Sequence, residues 1–369
     1  MSDPASPAVL VPRVVELCRA SAAELEFSTF LVGVRARRLS RELSSDRFQA
    51  WKTELRRQAG RILAEDWQAL GRRPEFVRPE LLLVYDADRG CVEPSLRPVL
   101  LYGRYRKLCR DLPQTRAHWK HPPCRGQGCP GCEGTGRLHP LALEDLLGVP
   151  CAPAFQASGW RLHGMGREDV DVRCLGQGRP FVLELESPRR RSADLAALSA
   201  EVDRQGAGRV ELARPLEPAG EHVIPRLKAS EARKAYRALV RAGGPLPAQL
   251  DGLEAALGGA RLAQRTPERV SRRRADLVRA RTVHRCRVLA RGGDWVELEL
   301  LTDSGTYVKE LISGDQGRTT PSVAGVLGVA CVCAELDVLG VEAEDAQLLA
   351  PCELTGPGDR VESAAYDAG

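Results

Sequence analysis

Three carboxylates lie within four residues of the chain, in the segment 164–173 (GMGREDVDVR): Glu168, Asp169 and Asp171. Arginines flank them on both sides, and the apolar alternation of residues 180–186 (PFVLELE) predicts a strand just downstream. Carboxylates beside arginines at the end of a sheet can place one charged reactive group next to a polyanion. A charged turn before a strand is the plainer interpretation, and the segment alone leaves both open.

A second group of reactive residues occupies the glycine-rich segment 121–136 (HPPCRGQGCPGCEGTG). His121 and Cys124 are separated by two residues, and so are Cys129 and Cys132, a spacing that lets a tight turn direct both side chains at one ion. The segment has almost no apolar residues among which thiols could be buried. It therefore predicts a structural zinc site of the Cys3His type, with His118 as the competitor of His121 for the fourth position.

Arginine is concentrated in the segment 261–291, where only Glu268 and Asp276 carry the opposite charge. The 11 arginines are residues 261, 265, 269, 272, 273, 274, 279, 281, 285, 287 and 291. Such density with so little counter-charge favours a polyphosphate partner, and a solvated basic face is the alternative.

Composition limits the classes of protein to consider. The 369 residues, 43% hydrophobic and 28% charged, are typical of a soluble globular protein large enough for two domains. We expect a cytoplasmic protein, because no signal peptide is recognised and 12 cysteines without one indicate metal binding or reduced thiols. Nothing indicates a membrane or an obligate protein partner. The sequence has no Walker loop, no GxGxxG that opens a helix, no HExxH and no GxSxG, which disfavours nucleotide-driven, redox, metalloprotease and serine-hydrolase chemistry.

These residues must be positioned by a mixed set of helices and strands. Apolar spacing predicts helices at 14–26, 46–64 and 195–205, and strands at 30–34, 81–85, 180–186, 295–302 and 335–341. Residues 231–239 (EARKAYRAL) fit either a strand or a short helix.

The segment 166–181 (GREDVDVRCLGQGRPF) resembles the active-site motif of the archaeal and eukaryotic-type tRNA pseudouridine synthases that act on the TΨC arm. Several separate blocks in the same order extend the resemblance over most of the chain. They are FLVGVR (30–35), YGRYRKL (102–108), PQTR (113–116), the zinc segment, KAYRAL (234–239), QRTP (264–267), GTYVKE (305–310) and GDQGRT (314–319).

The resemblance implies a role for five residues. Asp169, two residues after the arginine that follows the glycine of the motif, corresponds to the catalytic aspartate, and Arg167 is expected to help hold the flipped-out nucleotide. Tyr236, in the K-x-Y motif, is expected to pack on the target base. Tyr307 and Lys309 are expected in the same pocket.

It also implies an α+β fold in two parts. Residues 1–140 would form a THUMP-like RNA-binding accessory domain that includes the zinc segment 118–136. Residues 141–369 would form the catalytic domain, on a mixed, mainly antiparallel sheet flanked by helices. The expected reaction converts uridine 54, uridine 55 or both in tRNA to pseudouridine, with no organic cofactor and with structural Zn2+ as the metal.

Two alternatives belong to other classes of function. A non-catalytic zinc-bearing RNA-binding adaptor would explain the arginines and cysteines, but it would leave the blocks around Asp169, Tyr236 and Lys309 without a reason. An RNA thiolase or methyltransferase that shares the accessory domain is disfavoured, because no nucleotide or methyl-donor loop is recognised.

Overall fold

Two hydrophobic cores organise the computed structural model, which describes residues 6–116, 119–247, 250–271 and 275–351. The first core is built from elements that end at Leu96. They are α1 (Pro7–Ala22), β1 (Thr29–Arg35), α2 (Leu39–Glu42), α3 (Ser45–Trp67), β2 (Arg73–Pro74), β3 (Leu81–Asp86) and β4 (Cys91–Leu96).

The first unit is a four-stranded sheet in the order β2-β1-β3-β4, packed against two long helices. β1 pairs in parallel with β2 and β3, whereas β3 and β4 are antiparallel. α3 buries one residue in every turn, because apolar side chains recur four positions apart and form a single stripe. The stripe consists of Trp51, Leu55, Ala59, Leu63 and Trp67.

The second unit begins at β5 and contains the larger core. Its elements are β5 (Val99–Lys107), α4 (Leu143–Phe155), β6 (Gly159–Gly164), β7 (Arg173–Glu186), α5 (Leu195–Gly206), β8 (Val210–Pro218), α6 (Val223–Ala229), β9 (Lys234–Ala242), α7 (Asp251–Leu257), β10 (Arg261–Arg265), β11 (Val278–Arg291), β12 (Trp295–Thr302), α8 (Val308–Ser313), β13 (Thr319–Thr320), α9 (Val323–Leu327), β14 (Cys331–Val341) and α10 (Asp345–Leu349).

Nine of these strands form one sheet in the order β13-β10-β11-β12-β9-β14-β7-β5-β8, and β6 pairs with β7 beside them. The pairings are antiparallel except for that of β14 with β7. The prediction of an α+β protein with a mixed sheet is therefore confirmed. The two cores divide between Leu96 and Val99. The domain boundary expected at residue 140 stays a prediction.

Two strands near the middle of this sheet position the candidate site. Residues 231–239, which the sequence left open between strand and helix, contribute to β9, where buried and half-buried residues alternate. Because side chains alternate between the faces of a strand, Lys234 and Tyr236 point to the same side. β7 follows the carboxylate-rich segment directly and is buried over most of its length, so it anchors that segment to the core. Among the described helices, none combines the length and apolar character that a membrane span requires.

Candidate active site and metal centre

The carboxylate-rich segment forms the connection between β6 and β7, and it turns its carboxylates in different directions. The Glu168 side chain is 1% exposed and the Asp169 side chain 42% exposed, so one points into the core and the other into a cavity. Gly166 precedes them with φ of +81°, and a Cβ there would approach Lys234 Nζ to 3.0 Å. The positive φ therefore favours glycine at this position.

Glu168 is held by a buried network from two strands. Tyr105 Oη donates to both of its carboxylate oxygens at 2.9 and 3.0 Å, and Gln114 Nε2 donates to Tyr105 Oη at 2.7 Å and to the main-chain oxygen of Gly166 at 3.1 Å. Arg179 Nε lies 2.8 Å from Glu168 Oε2, as an ion pair rather than a well-aligned hydrogen bond. Burial, the largest single effect, would lower the pKa of Arg179, but the neighbouring groups, Glu168 first among them, together outweigh burial and raise it. The network fixes the start of the loop.

Lys107 fixes the next part of the loop from β5. Its Nζ is buried and donates to the main-chain oxygens of Leu112 at 2.7 Å, Asp169 at 3.1 Å and Val170 at 2.8 Å. Burial lowers the pKa of Lys107, and the charge of Glu168 opposes this shift. Main-chain oxygens satisfy the ammonium group here, so the backbone of Asp169 is held while its side chain stays free to face the cavity.

Two cations approach the Asp169 carboxylate from the opposite wall. Arg269 Nη1 lies 3.3 Å and Lys309 Nζ 3.4 Å from Asp169 Oδ2. Lys309 also contacts Asp171, whose two carboxylate oxygens lie 2.7 and 2.8 Å from Nζ. Burial by itself would raise the pKa of Asp171, but the hydrogen bond and charge of Lys309 prevail and lower it. Asp169 therefore faces two positive charges without being enclosed by them.

All five site residues expected from the resemblance line one cavity of about 400 Å³: Arg167, Asp169, Tyr236, Tyr307 and Lys309. This volume lies within the range of small-molecule and cofactor sites. Tyr236 is buried in its wall, and burial raises the pKa of its hydroxyl to about 12. The geometry brings the five residues together; their chemical roles stay predictions.

The cations that line the cavity but were not predicted as site residues include Arg179, Lys234 and Arg269. Lys234 lines the cavity, and its Nζ lies 3.2 Å from Ser304 Oγ, while burial, followed by the charge of Arg179, lowers the pKa of Lys234 to about 8. For two of these cations the sequence contained a signal that could have identified them. Lys234 begins the K-x-Y motif, and Arg269 belongs to the arginine-rich segment. The burial of Arg179 could not be seen without the sheet.

His121, Cys124, Cys129 and Cys132 lie together, with their donor atoms all within 4.8 Å of one another. Cys132 Sγ lies 3.8 Å from the sulfurs of Cys124 and Cys129, and His121 Nδ1 lies 3.5 Å from the same two sulfurs. A tetrahedral zinc ion with its usual bond lengths needs about 3.8 Å between two sulfurs and about 3.5 Å between sulfur and nitrogen. The four donors fit such an ion. The competitor His118 lies outside the described residues.

Known proteins resemble this chain over most of its length. The family model described as Pus10, C-terminal, matches residues 100–342. The chain is 38% identical to the tRNA pseudouridine synthase Pus10 of Methanopyrus kandleri, covering 89% of this chain and 77% of that protein. It is 45% identical to the tRNA pseudouridine synthase Pus10 of Korarchaeum cryptofilum, covering 72% and 71% of the two chains.

Among solved structures, a chain in the crystal structure of a Cbf5-Nop10-Gar1 complex is similar at 18% identity and a TM-score of 0.33, covering 65% of this chain and 58% of that one. The family model covers more than half of the chain, and the two curated relatives exceed 30% identity over most of it. By these matches, the chain belongs to the Pus10 family of tRNA pseudouridine synthases.

Proposed function

We propose that this protein isomerises uridine to pseudouridine in the TΨC loop of tRNA, at position 54, position 55 or both, with Asp169 as the catalytic residue. The observation that carries the proposal is a half-exposed carboxylate that faces two cations across a cavity with a buried tyrosine in its wall. Names of curated relatives supply the substrate class, tRNA.

The reaction requires little beyond a carboxylate. The bond between N1 of uracil and C1′ of ribose breaks, the base turns, and a bond between C5 and C1′ forms. The C5 proton leaves, and N1 takes a proton, so no redox partner, hydrolysis or organic cofactor is needed. Asp169 would act in its ionised form, either by attack on the sugar carbon or by removal of a ribose proton. Arg269 Nη1 and Lys309 Nζ lie 3.3 and 3.4 Å from this carboxylate.

The remaining cavity residues suit a nucleotide that has left its stack. Tyr236 offers an aromatic face on the same side of β9 as Lys234, and it would pack on the target base. Arg167 is exposed at the cavity and would contact the flipped nucleotide, while Tyr307 and Lys309 close the opposite wall. Extrusion of a base costs a few kcal/mol of lost stacking, which contacts of this kind offset.

Binding of the tRNA would also use the first unit and the metal cluster. We assign residues 7–96 a THUMP-like RNA-binding role, and His121, Cys124, Cys129 and Cys132 a structural zinc ion. Four protein donors leave no open position for catalysis, so the ion would stabilise the segment rather than react. Reduced thiols of this kind suit a cytoplasmic location.

The test is release of tritium from tRNA labelled at C5 of uridine. Wild-type protein should release tritium from TΨC-loop uridines, and Asp169→Ala should lose turnover while it still binds tRNA. The adaptor alternative predicts no release by wild type and an unchanged RNA effect in Asp169→Ala. No release from any tRNA tested, or full release by the variant, would contradict the proposal.

A further inference from the structure

Glu310 is a buried carboxylate next to the candidate site that does not line the cavity. It belongs to α8, and its side chain is 6% exposed. Its Oε1 accepts a hydrogen bond from Arg269 Nε at 2.6 Å. Its Oε2 is also buried and has no hydrogen-bond partner among the described residues. Within that part of the chain, the hydrogen bonds of this carboxylate therefore go to Arg269 alone.

Arg269 lies between two carboxylates and uses different atoms for each. Its Nε edge contacts Glu310, while Nη1 lies 3.3 Å from Asp169 Oδ2. Because the guanidinium group is planar and rigid, fixing the Nε edge also fixes the direction of Nη1. The side chain is 43% exposed, so without Glu310 it could turn to solvent. Burial alone would lower the pKa of Arg269, but Glu310, with a smaller effect of Asp169, raises it.

A contribution to the stability of the fold does not by itself explain why Glu310 is buried beside Arg269. A buried carboxylate with one unpaired oxygen loses hydration that a single partner does not fully replace. The neighbouring positions of α8, Leu311 and Ile312, are fully buried, so the helix packs through apolar side chains. An apolar residue at position 310 would suit that packing but could not orient the arginine.

We propose that Glu310 is a positioning residue that holds Arg269 towards the carboxylate of Asp169 and does not itself touch the substrate. This inference rests on the proposed catalytic role of Asp169. It extends the site by one layer, from the groups that face the nucleotide to the group that determines where one of them points. The effect of Glu310 on the reaction must then pass through Arg269.

A double-mutant cycle tests this relation, with kcat and KM measured by tritium release from tRNA. Glu310→Ala should lower kcat about 10- to 100-fold, the order expected for a misplaced site group, and leave KM within about twofold. Glu310→Gln keeps the shape and one acceptor, so it should fold and lose less activity. In the Arg269→Ala background, Glu310→Ala should have almost no further effect, because the group through which it acts is already gone.

A matched control separates this effect from a general loss of stability. Asp345→Asn weakens another partly buried carboxylate, which pairs with Arg104 and Arg214 away from the cavity, and kcat should stay unchanged. The inference about Glu310 would be overturned if the losses in kcat of the Glu310 and Arg269 substitutions multiplied in the double variant. It would also be overturned if Glu310→Ala raised KM and left kcat unchanged. Neither result would affect the proposed function. Full turnover by Asp169→Ala would overturn the proposed function and, with it, the role of Glu310.

Discussion

Glu168 and Asp169 are adjacent carboxylates with opposite surroundings. Glu168 is enclosed by Tyr105 and Arg179, whereas Asp169 faces a cavity and two more distant cations. A carboxylate in the first setting is bound to the protein and has no room to meet a substrate. The second setting leaves oxygens accessible, as a reacting group requires. The pair therefore divides structural support and proposed chemistry between two consecutive residues.

Substituting each carboxylate by its amide should separate these two functions. Glu168→Gln leaves the Arg179 charge buried without its counter-charge, and we expect a loss of about 3 kcal/mol in the free energy of unfolding. Asp169→Asn removes a half-exposed charge, so its free energy of unfolding should change by less than about 0.5 kcal/mol. Urea denaturation of both variants measures the difference. Equal stability of the two variants would contradict the assignment of Glu168 to structural support.

The sequence could predict which residues meet in the cavity but not why Glu168 is buried while Asp169 is exposed. The order of motif blocks identified Asp169, Tyr236 and Lys309, since these belong to recognisable segments. The burial of Glu168 depends on Arg179, which reaches it through the folding of the loop onto β7. Contacts of this type join residues by tertiary packing and leave no local pattern.

At the scale of elements, the periodicity of the sequence predicted the regular segments better than their ends. The strand expected at 295–302 is observed as Trp295–Thr302, while the one expected at 180–186 extends back to Arg173. The extension runs through two glycines with positive φ, which a local pattern interprets as a turn. Pairing with β5 and β14 on either side keeps this stretch in the sheet.

The segment 121–136 has few apolar side chains to pack, and its four possible metal donors lie together. Its turns include Gly128 and Gly136 with φ of +91° and +66°, and a Cβ at either would approach main-chain oxygens to 2.5 Å or less. Cys132 Sγ also accepts hydrogen bonds from the main-chain N–H groups of Cys129 and Gly136, each at 3.2 Å. This arrangement suits a thiolate held for a cation.

Replacement of one donor should therefore release the ion. We expect His121→Ala to lower the zinc content from about one equivalent to well below half, because three sulfurs leave one position of the tetrahedron to water. Metal analysis of purified protein gives the stoichiometry. His139→Ala is the control, since the His139 ring makes an edge-to-face contact with Trp119 and is not part of the cluster. A full equivalent of zinc in His121→Ala would exclude His121 as a ligand.

On the scale of the whole molecule, the arginines of β10 and β11 are divided between two faces of the sheet. Arg281 pairs across strands with Leu262, which is buried, and it lines the cavity. Arg261, the neighbour of Leu262 along β10, is exposed on the other face because side chains alternate along a strand. Others are neutralised locally, as Arg265 is by Asp276. A count of arginines in sequence therefore overstates the charge available to tRNA.

This division predicts that, within the arginine-rich segment, the cavity face contributes to the salt dependence of tRNA binding and the opposite face does not. Arg281 lines the cavity, so we expect its guanidinium group to meet a phosphate of the tRNA there. Arg281→Gln should reduce the slope of log K against log salt by about 0.7 to 0.9, the release expected for one lost phosphate contact. Arg261→Gln, of the same charge change on the opposite face, should leave the slope unchanged. Filter binding of tRNA between about 50 and 200 mM salt measures both slopes. A reduced slope for Arg261→Gln together with an unchanged slope for Arg281→Gln would show that the tRNA approaches from the other face.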